Sequence, residues 1–444
     1  MSQVLYLILL ILVPWLNADQ KWEKIQSTTP LNIQEQEAYS LVQRLIPDHY
    51  KLFNINVRGP NFSPKNTDQV VLMTESSSSN EVERKFNPTH TKILTVTANT
   101  GPAAVWGINH YLKYFCNSHV SWDTTRIRIP SPLPDVNLTL TSLGKFRYHM
   151  NVCTFGYTYA FWKWHQWEKH IDWMSLNGIN LPLAFVAQEA IWERVYMKFG
   201  LTEEDLAEHF AGPAFLPWQR MGNLYGWGGR LTPTWHKFTI ELQHQILDRM
   251  RGLGITPVLP AFAGHIPKGL LKLYPNITYT SAQWCGFPPT YLLDPMDPLF
   301  IQIGSSFIEE YINEFGATDH VYNCDAFNEM NPASSDPEFI RNSGKAIYDA
   351  ISKVDENAVW IMQGWLFRSS FWQEEQAKAL LTSVDPGDMI VLDLSSTEVT
   401  EYDRLQSYFG QPFIFNDLNN YGGYIGFFGR IGRIQDRLPA ARNM

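Results

Sequence analysis

Four cysteines in 444 residues are too few for a disulfide scaffold. They form no CxxC pair and stand beside no ligand-spaced histidines, which argues against a zinc site. Cys153 and Cys324 lie in apolar, strand-like runs, where buried free thiols are the plain reading. Charge is also scarce. Charged residues make up 18% of the chain and sum to −9, without the basic excess that nucleic acid demands. No glycine-rich dinucleotide fingerprint appears where the strand–helix repeat begins. No metal and no cofactor are therefore expected. Beyond the N-terminus, no apolar run approaches transmembrane length.

That N-terminus, "MSQVLYLILLILVPWLNADQ", carries an apolar run from Val4 to Leu16. The run is short for a bilayer span and has signal-peptide length, with Ala18 before a polar start. A positive n-region is missing, so an uncleaved anchor is the alternative. Residues 1–18 are expected to be a signal peptide. Sequons at Asn61, Asn137 and Asn276 are candidate glycosylation sites on the same exocytic route. Pro64 after Ser63 makes Asn61 the weakest of the three.

What the chain has in abundance is aromatic surface: 14% aromatic residues, 16 of them Trp. Trp suits flat apolar ligands such as sugar faces, and equally a Trp-rich core. Residues 20–142 are expected to form a small α/β domain. There the strands "LFNINV" and "KILTVTA" stand among helices over "EQEAYSLVQRLIPDHY" and "TGPAAVWGINHYLKYF", and a Pro-rich boundary falls near 130–142. From residue 143 strands and helices alternate, as a parallel sheet covered by helices requires. The strands are "FRYHMNV", "INLPLAF", "ITPVLPAF", "HVYNCDAF", "AVWIMQGWL", "MIVLDLS" and "PFIFNDL". The expected fold class is α/β: an incomplete (β/α)8-type barrel of about seven strands over 143–444. Polar or aromatic residues follow nearly every strand: Asn151, Gln188-Glu189, His265, Asn328-Glu329, Gln363 and Trp365, Asp393, Asn416-Asp417. Such a register matches the face of a barrel on which active sites sit.

"HVYNCDAFNEMNP" is the sharpest stretch. An apolar strand ends in Asp325, Asn328 and Glu329. Glu329 is the candidate general acid, and Asn328 could bind a substituent at C2 of a sugar. The alternative is a surface or capping carboxylate. Asp325 either tunes Glu329 or pairs with a basic neighbour, the second reading being slightly favoured.

The runs "NVCT", "WEKHIDWMSLNGINLPLAF", "QEAIWERVY", "GPAFLPWQRMGNL", "GITPVLPAFAGHIP", "DAFNEMNP", "VWIMQGWLF" and "VLDL" together resemble glycoside hydrolase family 89, the alpha-N-acetylglucosaminidases. The resemblance runs from about residue 35 to the end. It implies a small α/β domain, a barrel and a helical C-terminal domain. The implied activity is retaining exo-removal of α-linked terminal N-acetylglucosamine from heparan sulfate, in a lysosomal or secreted setting. The partner is then a glycosaminoglycan or another N-acetylglucosamine-terminated glycan. The family's acid/base falls on Glu329, in "FNEM". Asn151, Cys153, Trp218, Met221, His265, Asn328 and Trp365 fall in the implied sugar pocket. For Cys153 a buried thiol, and for Trp218 packing of a long insertion, stay open. The family's nucleophile lies in an "EG" motif beyond the stretch matched by "YGGYIGFFGR". These 444 residues are expected to lack it, together with the eighth strand and the helical domain. A non-catalytic N-acetylglucosamine-binding protein is the alternative function.

Overall fold

The computed structural model describes residues 20–63, 66–76, 92–121, 123–317, 319–418 and 430–443. The expected signal peptide, residues 77–91 after Ser76 and most of "YGGYIGFFGR" lie outside the described residues.

The N-terminal unit is a four-stranded sheet ordered Phe53–Val57, Lys92–Ala98, Gln69–Ser76, Asn137–Thr141. Its first pair is parallel and the rest antiparallel. Gln69–Ser76 was not foreseen as a strand, and the Pro-rich stretch ends in a strand of this sheet. Alternating burial in Phe53–Val57 gives the sheet one core face, which packs against helices Leu31–Leu45 and Gly101–Tyr114. Thr100 caps the second helix by accepting the Ala103 N–H, with Pro102 in the first turn.

The larger unit follows the alternation closely. Strands Tyr148–His149 and Leu181–Pro182 pair in parallel, and Leu183 bridges to Val258. From there Leu259–Pro260, Val321–Asn323, Val359–Gln363, Met389–Asp393 and Phe413–Phe415 continue in parallel and in chain order. These seven are called the first to seventh barrel strands below. Val359–Gln363 and Met389–Asp393 are buried at every position, because helices cover one face and the barrel interior the other. Helices Trp164–Leu176, Pro233–Leu253, Pro298–Phe315, Pro337–Ser352 and Glu374–Leu381 make the outer layer. The first buries Trp167, Ile171 and Met174, and the second Leu242, Ile246, Met250 and Leu253, the faces that helical spacing predicts. Arg249, on Pro233–Leu253, ties the two units together. It bonds Glu37 of the small domain and, at 2.7 Å, Asp172, which also takes Arg44 at 2.8 Å.

Among the described residues the barrel does not close. The carbonyls of Arg147 and His149 are taken by the second strand, and Pro412 and Asn416 bond the sixth. Alternation then turns the backbone groups of Tyr148, Phe413 and Phe415 toward the gap between the seventh and first strands. Two cavities line that gap. One of about 1160 Å³ lies by Arg147, Phe413 and Phe415. The other, of about 710 Å³, lies by Met150, Asn151 and Asp417.

The fifth strand sits at the centre of the five-stranded run, and Ile361 is fully buried. Ile361→Ala should therefore cost about 2–5 kcal/mol, read as a lowered denaturant midpoint at unchanged slope. A cost under about 1 kcal/mol would mean that this strand is not core.

Candidate active site

The fourth strand ends in a short descent and rise. Cys324 is buried with its Sγ 3.5 Å from the Phe262 carbonyl. Asp325 is half-buried, Ala326 and Phe327 are buried, and Glu329 emerges exposed. Two carboxylates four positions apart thus meet opposite environments. Burial pushes the Asp325 carboxyl up to about 7. Its partner is the Gln363 amide, Nε2 donating to Oδ2 at 2.7 Å. The favoured expectation of a basic neighbour is therefore wrong: the fifth strand offers a neutral donor there. Glu329 Oε2 accepts a 2.9 Å bond from the indole of Trp284. That residue sits in the hairpin between Tyr279–Ala282 and Thr290–Leu293.

The first strand's end comes to the same place. Asn151 caps the turn Val152–Phe155, its Oδ1 accepting the Cys153 N–H at 2.8 Å. The Cys153 thiol is pushed up to about 12, by burial first and then by the charges of Glu329 and Asp325. Tyr157 is raised by burial, Cys153 and Glu329, and its ring stands edge-on to Trp218 at 5.3 Å. On the adjoining turn, Met221 Sδ takes the Asn328 amide at 2.9 Å. Asn151, Cys153, Trp218, Met221, Asn328 and Glu329 are therefore neighbours, drawn from the first and fourth strands and the long insertion.

The other two expected pocket residues stand differently. Both ring nitrogens of His265 are buried, and burial lowers it to about 4 against a smaller upward pull from the Ala326 backbone. A Cβ on Gly222, which has φ +74°, would lie 2.0 Å from its ring. His265 thus backs the turn after Met221. Trp365 stacks under the Arg368 guanidinium at 5.1 Å. Among the described residues it makes no hydrogen bond or ring contact with the group around Glu329. Asn61, Asn137 and Asn276 are all exposed, as glycan attachment would need.

Two residues that hold this arrangement were not foreseen. Trp284 is one; its only sequence signal is a lone Trp in a polar hairpin. Arg220 is the other, the one cation in "FLPWQRMG". Its Nε and Nη2 meet both oxygens of Glu189 at 2.7 and 2.8 Å, and its guanidinium lies 5.7 Å from the Phe155 ring centre. One cation therefore joins the helix Gln188–Lys198 that follows the second strand, the turn carrying Cys153 and the helix Leu216–Arg220 carrying Trp218. Of the remaining strand-end acids, Asp393 is buried and raised to about 6, and Asp417 accepts from Thr397. Among the described residues, no group of three or more His, Cys, Asp or Glu is placed to hold a metal ion.

Comparison with known proteins now bears on the chain as a whole. Residues 147–444 match the model of the alpha-N-acetylglucosaminidase (NAGLU) tim-barrel domain, and residues 36–135 that of the corresponding N-terminal domain. The chain belongs to the alpha-N-acetylglucosaminidase family. It is 47% identical to human alpha-N-acetylglucosaminidase over 358 residues, 79% of this chain and 48% of that protein. It thus spans about half the length of the curated relative it matches. A family 89 glycoside hydrolase from Clostridium perfringens, solved in complex with PUGNAc, superposes with TM-score 0.82 at 27% identity, over 93% of this chain and 45% of that one. The same bacterial enzyme, with two Glu-to-Gln substitutions and its substrate GlcNAc-alpha-1,4-galactose, gives 0.77 at 27% identity, over 88% and 42%. Within this alpha-N-acetylglucosaminidase family frame, the alternation of strands and helices is that of the tim-barrel domain.

The Glu189–Arg220 pair is 3% and 12% exposed. Arg220→Met strands a buried carboxylate and should cost about 3–5 kcal/mol, whereas Glu189→Gln together with Arg220→Met should recover most of it. Chemical denaturation decides; equal loss in single and double variants would deny the pair its structural role.

Asp325 sets a second expectation. Its folded-state value, about 7, stands above the ordinary 3.8. Between those values the folded chain keeps a proton that the unfolded chain has lost. The stability it contributes therefore falls as pH rises through that window. Asp325→Asn should gain on the parent from about pH 4 to pH 7. Parallel stability curves would refute the assignment.

Proposed function

We propose that this chain carries the sugar pocket and the acid/base of a retaining exo-glycosidase for α-linked terminal N-acetylglucosamine, with heparan sulfate as the natural glycan. The observation that carries the reading is the state of Glu329. It is exposed, one oxygen is oriented by Trp284, and the other has no protein partner among the described residues. In the proposed cycle Glu329 protonates the departing glycosidic oxygen and then takes a proton from the incoming water. Asn328 would hold the acetamido group, with Cys153, Trp218 and Met221 as walls, Asn151 and His265 behind them and Trp365 further out. The family membership and the exposed sequons support a lysosomal or secreted setting.

A retaining enzyme needs a second carboxylate about 5–5.5 Å from the first. Every stand-in considered is already committed: Glu189 to Arg220, Asp393 to burial, Asp417 to Thr397. This favours a second reading for the 444 residues alone, N-acetylglucosamine binding without efficient turnover.

The 444-residue chain should release no phenol from an aryl α-N-acetylglucosaminide, while a fusion to the remaining portion of the human relative should do so. In that fusion Glu329→Ala should slow substrates with poor leaving groups by about 10²–10⁴-fold, and azide should partly rescue those with good ones. Clear turnover by 1–444 that vanishes in Glu329→Ala would overturn the missing-nucleophile reading and make Asp417 the next residue to test.

A further inference from the structure

A line of aromatic rings leads away from Glu329. Trp284, which donates to the carboxylate at 2.9 Å, stacks on Phe287 at 5.6 Å and 23°. Phe287 meets Trp227 edge-on at 5.2 Å and 88°, and Trp227 meets Phe215 at 6.5 Å. Exposure is greatest at Trp227. Trp284 and Phe287 are partly covered, and Trp227 is 50% exposed. The rings thus begin at the acid and reach an exposed Trp, with Phe215 behind it at the head of the helix that carries Trp218.

The outer ring is held rather than loose. The carbonyl of Trp227 accepts the Gly212 N–H at 2.8 Å, and Gly226 N–H bonds His209 O at 2.9 Å. Gly228, next in the chain, has φ +82°, and a Cβ there would lie 2.3 Å from the Phe215 ring. On the inner side the Phe287 N–H bonds Trp284 O at 2.8 Å, which fixes both hairpin rings in one turn. Folding gains little from a Trp left half in water by a backbone built to keep it there. A binding surface gains a rigid apolar plate.

We propose that Trp284, Phe287 and Trp227 form a stacking track for the leaving-group side of the substrate, the second and third sugar rings of an oligosaccharide. This rests on the reading of Glu329 as the acid. The acid protonates the oxygen that joins the two sugars, so what extends outward from it runs beside the departing one. Ring faces meet pyranose faces through their C–H groups, so the track selects for chain length more than for charge.

The test uses the 444-residue chain and calorimetric titration with two ligands, methyl α-N-acetylglucosaminide and a trisaccharide with the same α-linked terminal sugar. The trisaccharide should bind more tightly, and the gain should persist at high salt. Trp227→Ala should lose about 2- to 13-fold of trisaccharide affinity, with methyl-glycoside affinity and melting temperature unchanged. Trp227→Phe should keep most of the gain. Equal affinity for the two ligands, or a gain that survives Trp227→Ala, would overturn the track while leaving the sugar pocket intact. Binding of neither ligand would overturn the pocket and the track together.

Discussion

A parallel strand covered on both faces has no side on which to place a polar group. Most of the larger unit follows from that constraint. In Val359–Gln363 and Met389–Asp393 every position is buried, so the apolar run must continue until the chain leaves the sheet. Polar chemistry is deferred to the strand ends and the segments that follow them, where Asn151, Glu189, Glu329, Gln363 and Asp393 stand. Seven strands in chain order then bring those ends to one rim. The candidate site is a consequence of how a parallel sheet is kept dry.

On that rim the same residue type is given different tasks by its surroundings. Asp325 is desolvated and bonded to an amide, Glu189 is neutralised by Arg220, and Glu329 is left in water with one indole donor. Exposure separates them more sharply than position along the chain does. A carboxylate already satisfied inside the protein has little left to offer a substrate. The exposed one has an oxygen to give. Arg220 matters for a related reason. The turn with Cys153 and the helix with Trp218 are short, and one cation joins them to Glu189 with one guanidinium edge and its π face in use.

The small domain was legible only in part. "LFNINV" and "KILTVTA" announce strands by alternation, but Gln69–Ser76 did not stand out and Asn137–Thr141 lay within a stretch taken for a Pro-rich boundary. Both pair antiparallel, and the second is an edge strand. Its Asn and Thr positions are exposed, so its pattern carries little apolar signal.

The sequence by itself determined the repeating order of strands and helices, the apolar face of each long helix, and Glu329 with Asn328 at a strand end. These are properties of spacing along one chain. Periods of 2 and 3.6 residues record which side of an element must avoid water. Its quoted runs also carried the family. Only the tertiary structure decided who meets whom. Trp284 reaches Glu329 across 45 positions, Arg220 reaches Glu189 across 31, and Gln363 reaches Asp325 across 38. No local period encodes those meetings, because they depend on how adjacent strands register and how the long insertion folds back over the rim.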